Sequence, residues 1–129
     1  LMVVKICCRV SVSRLNKIVY ILKSKYGVPL NLIYDGPLSI YSNDLEYDVG
    51  VLASFGFLDY QIISSRGYVD RVYRVTERGE RMVEDALQDR EAEGLFNKLR
   101  LCIRELEGLP TDELVAQARM FIHNTIRKI

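Results

Sequence analysis

Tyr60-Gln61-Ile62-Ile63, then Ser64-Ser65-Arg66-Gly67, then Tyr68-Val69-Asp70-Arg71-Val72-Tyr73-Arg74-Val75 is the stretch on which the fold turns. Two runs rich in β-branched and aromatic residues flank a polar segment that ends in glycine, a pattern that predicts a β-hairpin. Thr76 comes directly after it and has the hydroxyl of a helix N-cap, with Met82, Val83, Ala86 and Leu87 as the apolar face beyond it. A hairpin set among helices places the chain in the α+β class, mostly α.

Upstream, Asn43 and Glu46 are spaced as a capping box, Asp44 and Glu46 suit a positive helix end, and Leu45, Val49 and Leu52 form an inward stripe. That helix should stop at Gly56, where the left-handed conformation has little steric cost, with Phe57-Leu58 anchoring the start of the hairpin to the core. Further back, Ser13 is the expected N-cap of an amphipathic helix with Leu15, Ile18, Val19, Leu22 and Tyr26 on one face and Arg14, Lys17, Lys23 and Lys25 on the other. Between these helices, Asn31 to Asp35 reads as extended chain ending in the turn pair Gly36-Pro37. Downstream the helical pattern weakens between Glu91 and Gly94, where a break is expected. It resumes at Leu95, Leu99, Cys102 and Leu106 and ends at Gly108-Leu109-Pro110. Thr111 caps a last helix bearing Leu114, Val115, Ala118, Phe121, Ile122 and Ile126.

This order of helix, extended piece, helix, glycine, apolar pair, hairpin and capped helix resembles a winged helix-turn-helix domain. Leu45, Val49, Leu52, Gly56, Phe57 and Leu58 carry the resemblance, with Tyr73-Arg74-Val75-Thr76-Glu77-Arg78-Gly79 similar to the exit from the wing in many winged-helix regulators. Lys17-Ile18-Val19-Tyr20-Ile21-Leu22 and Gly36-Pro37-Leu38-Ser39 further resemble the opening of small Panacea-type antitoxin proteins and their prokaryotic relatives. The resemblance implies a winged-helix domain over residues 1–90 and a helical, dimerising extension over 91–129, the whole forming one compact unit. It also implies a DNA-binding transcriptional regulator acting as a homodimer on double-stranded DNA. Arg14, Lys17, Asn43, Tyr47, Arg66, Tyr68, Arg71 and Arg74 would be its DNA-facing residues. Leu95, Leu99, Leu114, Phe121, Ile122 and Ile126 would form its dimer interface.

Charge complicates this expectation. The 129 residues, enough for one domain, carry a net charge of +1. Residues before Tyr26 sum to +6, those from Tyr26 to Ser65 to −5, and the remainder to zero. The helix expected in the major groove therefore presents Asp44, Glu46 and Asp48 where phosphates and base edges would lie. The alternative is a protein-interaction, antitoxin-like module whose acidic second helix grips a basic partner.

Other chemistry finds little purchase. Triad catalysis needs a histidine base, and His123 alone is present, so no enzyme is expected. The adjacent Cys7-Cys8 pair lacks the spacing of zinc ligands, and Cys102 falls on a core stripe, so no metal is expected. The glycines match neither phosphate-binding nor dinucleotide-binding loops, so neither is a cofactor. Three cysteines make no even disulfide framework and suit a reducing compartment. The opening residues are too soon broken by charge for a secretory signal, and the apolar runs are too short to span a membrane. A cytoplasmic protein without membrane association is expected.

Overall fold

The computed structural model describes residues 1–30 and 41–128, apart from the side chains of Ser65 and of residues 124–128. The extended piece and Gly36-Pro37 turn expected over residues 31–37 lie outside the described residues, as does the side chain of Ile126. Among the described residues, six helices and three strands run in the order α1 (Met2–Cys7), β1 (Val10–Ser11), α2 (Val12–Ser24), α3 (Asn43–Ser54), β2 (Leu58–Ser65), β3 (Tyr68–Val75), α4 (Glu77–Ala86), α5 (Arg90–Glu107) and α6 (Thr111–Lys128). The class is α+β, mostly helical.

The sheet is antiparallel, in the order β1-β3-β2. The hairpin strands are longer than expected and the turn shorter, because Ser64 and Ser65 continue the ladder opposite Val69 and Tyr68. Only Arg66 and Gly67 remain as the loop, at φ 50° and 81°, the left-handed pair that a two-residue hairpin requires. Alternation sends Leu58, Tyr73 and Val10 to one face, where all three are buried, and Asp59, Gln61, Ile63 and Arg74 to the other.

The hairpin returns to the helices through a knot of short-range bonds. Gly56 adopts φ 81° after α3, and the Thr76 hydroxyl donates to its carbonyl at 2.6 Å while accepting the Gly79 N–H at 3.1 Å. The Thr76 N–H donates to the Phe57 carbonyl at 3.1 Å. A Cβ on Gly79 would stand 2.2 Å from that same Phe57 oxygen, so only glycine lets α4 start this close to the chain below it. The Thr76-x-x-Gly79 spacing is thus a docking device as well as a cap.

Several expectations are corrected. Ser11, not Ser13, caps α2 by accepting the Arg14 N–H at 3.2 Å, while the Ser13 hydroxyl donates to Asp70 at 2.6 Å. Likewise Ser42, not Asn43, is the N-cap of α3. Gly94 does not break a helix, since the break lies just before Asp89, which caps an unbroken α5. The Met2–Cys7 helix has no counterpart among the elements expected from the sequence. Six residues cannot hold a helix alone, and α1 stands because Val4 and Cys7 bury against the common core.

Most consequential is α2, whose Leu15, Ile18, Val19, Tyr20, Ile21 and Leu22 are all buried. It is the central strut of the molecule, packed by α5 and α6 as well as by the sheet. Leu99 and Leu114, expected at a dimer interface, are 2% and 0% exposed inside that core, so neither can face a partner. Leu95, Phe121 and Ile122 pack against the same cluster as partly buried residues. Residues beyond 90 therefore complete the core instead of extending from it.

Candidate interaction surface

Asn16, 4% exposed on α2, accepts the backbone N–H of Ser42 through Oδ1 at 3.1 Å and donates through Nδ2 to the Val12 carbonyl at 3.1 Å. Ser42 in turn accepts the Leu45 N–H at 3.4 Å, which caps α3. One buried amide thus places the start of α3 against α2. Val49 anchors the helix in the core, with Leu45 and Leu52 partly buried beside it. Away from the core Tyr47 is 72% exposed, with Glu46 accessible on the flank toward the hairpin and Asp48 on the flank toward Leu1.

The hairpin faces this side of α3 through Tyr60, Arg71 and Tyr73. A cleft of about 540 Å³ separates Glu46, Tyr47, Gly50 and Ser54 from Tyr60, Arg71 and Tyr73. The Arg71 guanidinium lies 5.1 Å from the centre of the Tyr60 ring, and Tyr60 meets Tyr73 at 5.5 Å between ring centres. A hydrogen bond to Tyr73, with the Glu46 carboxylate nearby, holds Arg71 above its ordinary pKa, and the guanidinium is a cation at any ordinary pH. A second cleft, also about 540 Å³, brings Lys17, Tyr41 and Glu46 to the hairpin tip at Tyr68 and Val69.

The residues expected to face DNA are dispersed by the fold. Tyr47 and Arg71 share the first cleft, and Lys17 and Tyr68 share the second, where the Lys17 ammonium donates to its own helix at the Ser13 carbonyl, 3.2 Å away. Arg66 is exposed at the turn and Asn43 at the start of α3. Arg14 points elsewhere. Its guanidinium donates to the carbonyls of Leu109 at 2.7 Å and Glu107 at 3.2 Å and to the Thr111 hydroxyl at 3.4 Å, closing the α5–α6 junction. Arg74 lies on the far face of the sheet and pairs with Asp59 at 3.2 Å.

Apart from Tyr68, the exposed apolar residues of the hairpin were missed in sequence. Ile62 is 62% exposed, Val69 71%, Tyr68 79% and Ile63 44%. Adjacent Ile62 and Ile63 were a usable signal, because neighbours on a strand point to opposite faces and only one can reach the core. Among the described residues no group of three or more His, Cys, Asp or Glu side chains could hold a metal, and no helix is long and apolar enough to cross a membrane. Comparison of the chain with protein-family models, curated proteins and solved structures found no match.

Proposed function

We propose that the chain is a winged-helix protein-interaction module that docks a basic partner surface on α3 and the hairpin wing. The winged-helix reading draws support from the succession of α2, α3 and hairpin and from a three-stranded sheet in the order β1-β3-β2. The observation that carries the function is where the charges go. Arg14 is spent within the molecule and Arg74 stands with Asp59 on the far face of the sheet, whereas Glu46, Asp48, Tyr47 and Tyr68 stand accessible. Residues 43–75 sum to −2. Surfaces that bind nucleic acid are strongly positive, while exposed tyrosine and isoleucine beside mixed charges suit a protein partner.

A second reading, a DNA-binding regulator acting as a homodimer, is favoured by Arg66 and Arg71 standing exposed with Tyr68 on the wing. One titration separates them, using fluorescence anisotropy with Lys/Arg-rich peptides, Asp/Glu-rich peptides of equal length and random genomic duplex DNA at low salt. The interaction reading expects binding of the basic peptides only, weakened when Glu46→Gln and Asp48→Asn are combined. DNA binding tighter than about 100 µM with no response to basic peptides would replace it with the regulator reading.

A further inference from the structure

β2 stands at the margin of the sheet and pairs only with β3 among the described strands. In a two-residue hairpin the residues flanking the loop, here Ser65 and Tyr68, exchange both backbone bonds, and the pattern alternates away from the turn. The backbone N–H and C=O groups of Tyr60, Ile62 and Ser64 therefore point outward from the sheet, the Tyr60 N–H onto the Asp59 carboxylate at 2.9 Å, which leaves the Ile62 and Ser64 donors for a further strand. Edge strands in natural proteins are commonly guarded by lysine, proline, a bulge or brevity. This one runs eight residues with unbroken register, has no lysine or proline, and carries no charge from Tyr60 to Ser65. Every described residue from Asp59 to Ser64 is exposed.

We propose that the β2 edge pairs with the β2 edge of a second copy of the chain, antiparallel across a two-fold axis perpendicular to the sheet. Isologous pairing sets a strand against itself, so a charge near the centre would meet its like. Here the centre is neutral. The joint is centred on Ile62, which exchanges both backbone bonds with Ile62 of the other copy, while the Ser64 N–H of each copy donates to the Tyr60 carbonyl of the other. Asp59, the one charged residue of β2, is already paired with Arg74 and would lie at opposite ends of the joint. A perpendicular axis keeps like faces together, so both α3–hairpin clefts open on one side of the six-stranded sheet. The pairing does not depend on what those clefts bind, and it needs none of the α5 and α6 residues buried in the monomer core.

Sedimentation equilibrium of the full chain, from low micromolar to several hundred micromolar, tests the proposal together with amide hydrogen exchange. A monomer–dimer equilibrium is expected, with the Ile62 and Ser64 amides gaining protection as concentration rises and Gln61 and Ile63 unchanged. Ile62→Pro removes an outward N–H and leaves the β2–β3 ladder intact, and Ile62→Lys adds like charge at the axis. Each should raise the dissociation constant at least tenfold with circular dichroism unaltered. Should the proline variant fail to fold, the lysine variant and the exchange data decide. A chain monomeric throughout the range, including one whose edge accepts only an unrelated extended peptide, overturns the proposal. So does a dimer unmoved by Ile62→Lys, or protection at the Ile62 and Ser64 amides that ignores concentration.

Discussion

The Oδ1 atom of Asn16 accepts the backbone N–H of Ser42 at 3.1 Å across 26 positions of sequence, with both residues buried. This bond joins the central helix to the cap of α3 and so sets the acidic helix relative to the hairpin. Asn16→Ala leaves the Ser42 donor without this acceptor in a buried site and should cost about 1–3 kcal/mol. Urea unfolding measures it. A loss below about 0.5 kcal/mol, the ordinary range for surface changes, would mean that α3 is held by its apolar stripe alone.

Two glycines should respond oppositely to alanine. Gly79→Ala drives a methyl into the Phe57 carbonyl and the Val75 side chain and should destabilise by about 3 kcal/mol. Gly94→Ala falls in the exposed interior of α5, where a Cβ meets nothing within 4 Å. There it should stabilise by about 0.5–1 kcal/mol through helix propensity. Thermal melts of both variants check the contrast, and equal effects would refute the docking role assigned to Gly79.

Arg66 holds φ 50° in the turn, a conformation costly for a residue with a long side chain. Arg66→Asn supplies the residue preferred before glycine in this hairpin turn and should stabilise the fold by about 0.5–1 kcal/mol. Strain kept at an exposed position points to use of the side chain. If the DNA reading holds, the same variant should lose DNA affinity while gaining stability, and denaturation run beside the titration shows whether the two separate.

Burial, then the Glu107 carboxylate, pushes the Cys7 thiol up to about 11. Burial and the hydrogen bond to Glu105 push Tyr26 up to about 12. Both folded values exceed the unfolded ones, so the stabilisation is complete below about pH 9, near the free thiol pKa, and is lost as pH rises through the folded values. Melting temperature should hold up to that point and fall above it. At pH 8, iodoacetamide should modify the exposed Cys8 and spare Cys7 and Cys102 until the protein unfolds. Alkylation of all three at equal rates in the native protein would contradict the burial.

Residues 43–79 were the most legible part of the sequence, because their rules act over two to four positions. The turn ending at Gly67, the Gly56 stop and the Thr76 cap each stem from glycine's φ freedom or from a hydroxyl within reach of nearby N–H groups. Periodicity also marked Leu99, Cys102, Leu106 and Leu114 as apolar positions. It could not say what covers them, since a stripe reads the same whether its cover is a partner or the chain's own α2. The same limit hid α1, too short to signal itself, and the nearly complete burial of α2. Charge fared similarly. Arg14 reads as a surface cation until the fold brings the Leu109 carbonyl to it from 95 positions away, and Arg74, which stays at the surface, reads as unpaired until β2 sets Asp59 opposite. Composition counts charges and local pattern assigns them to elements, but which are spent internally is decided by pairings that exist only once the distant segments have packed.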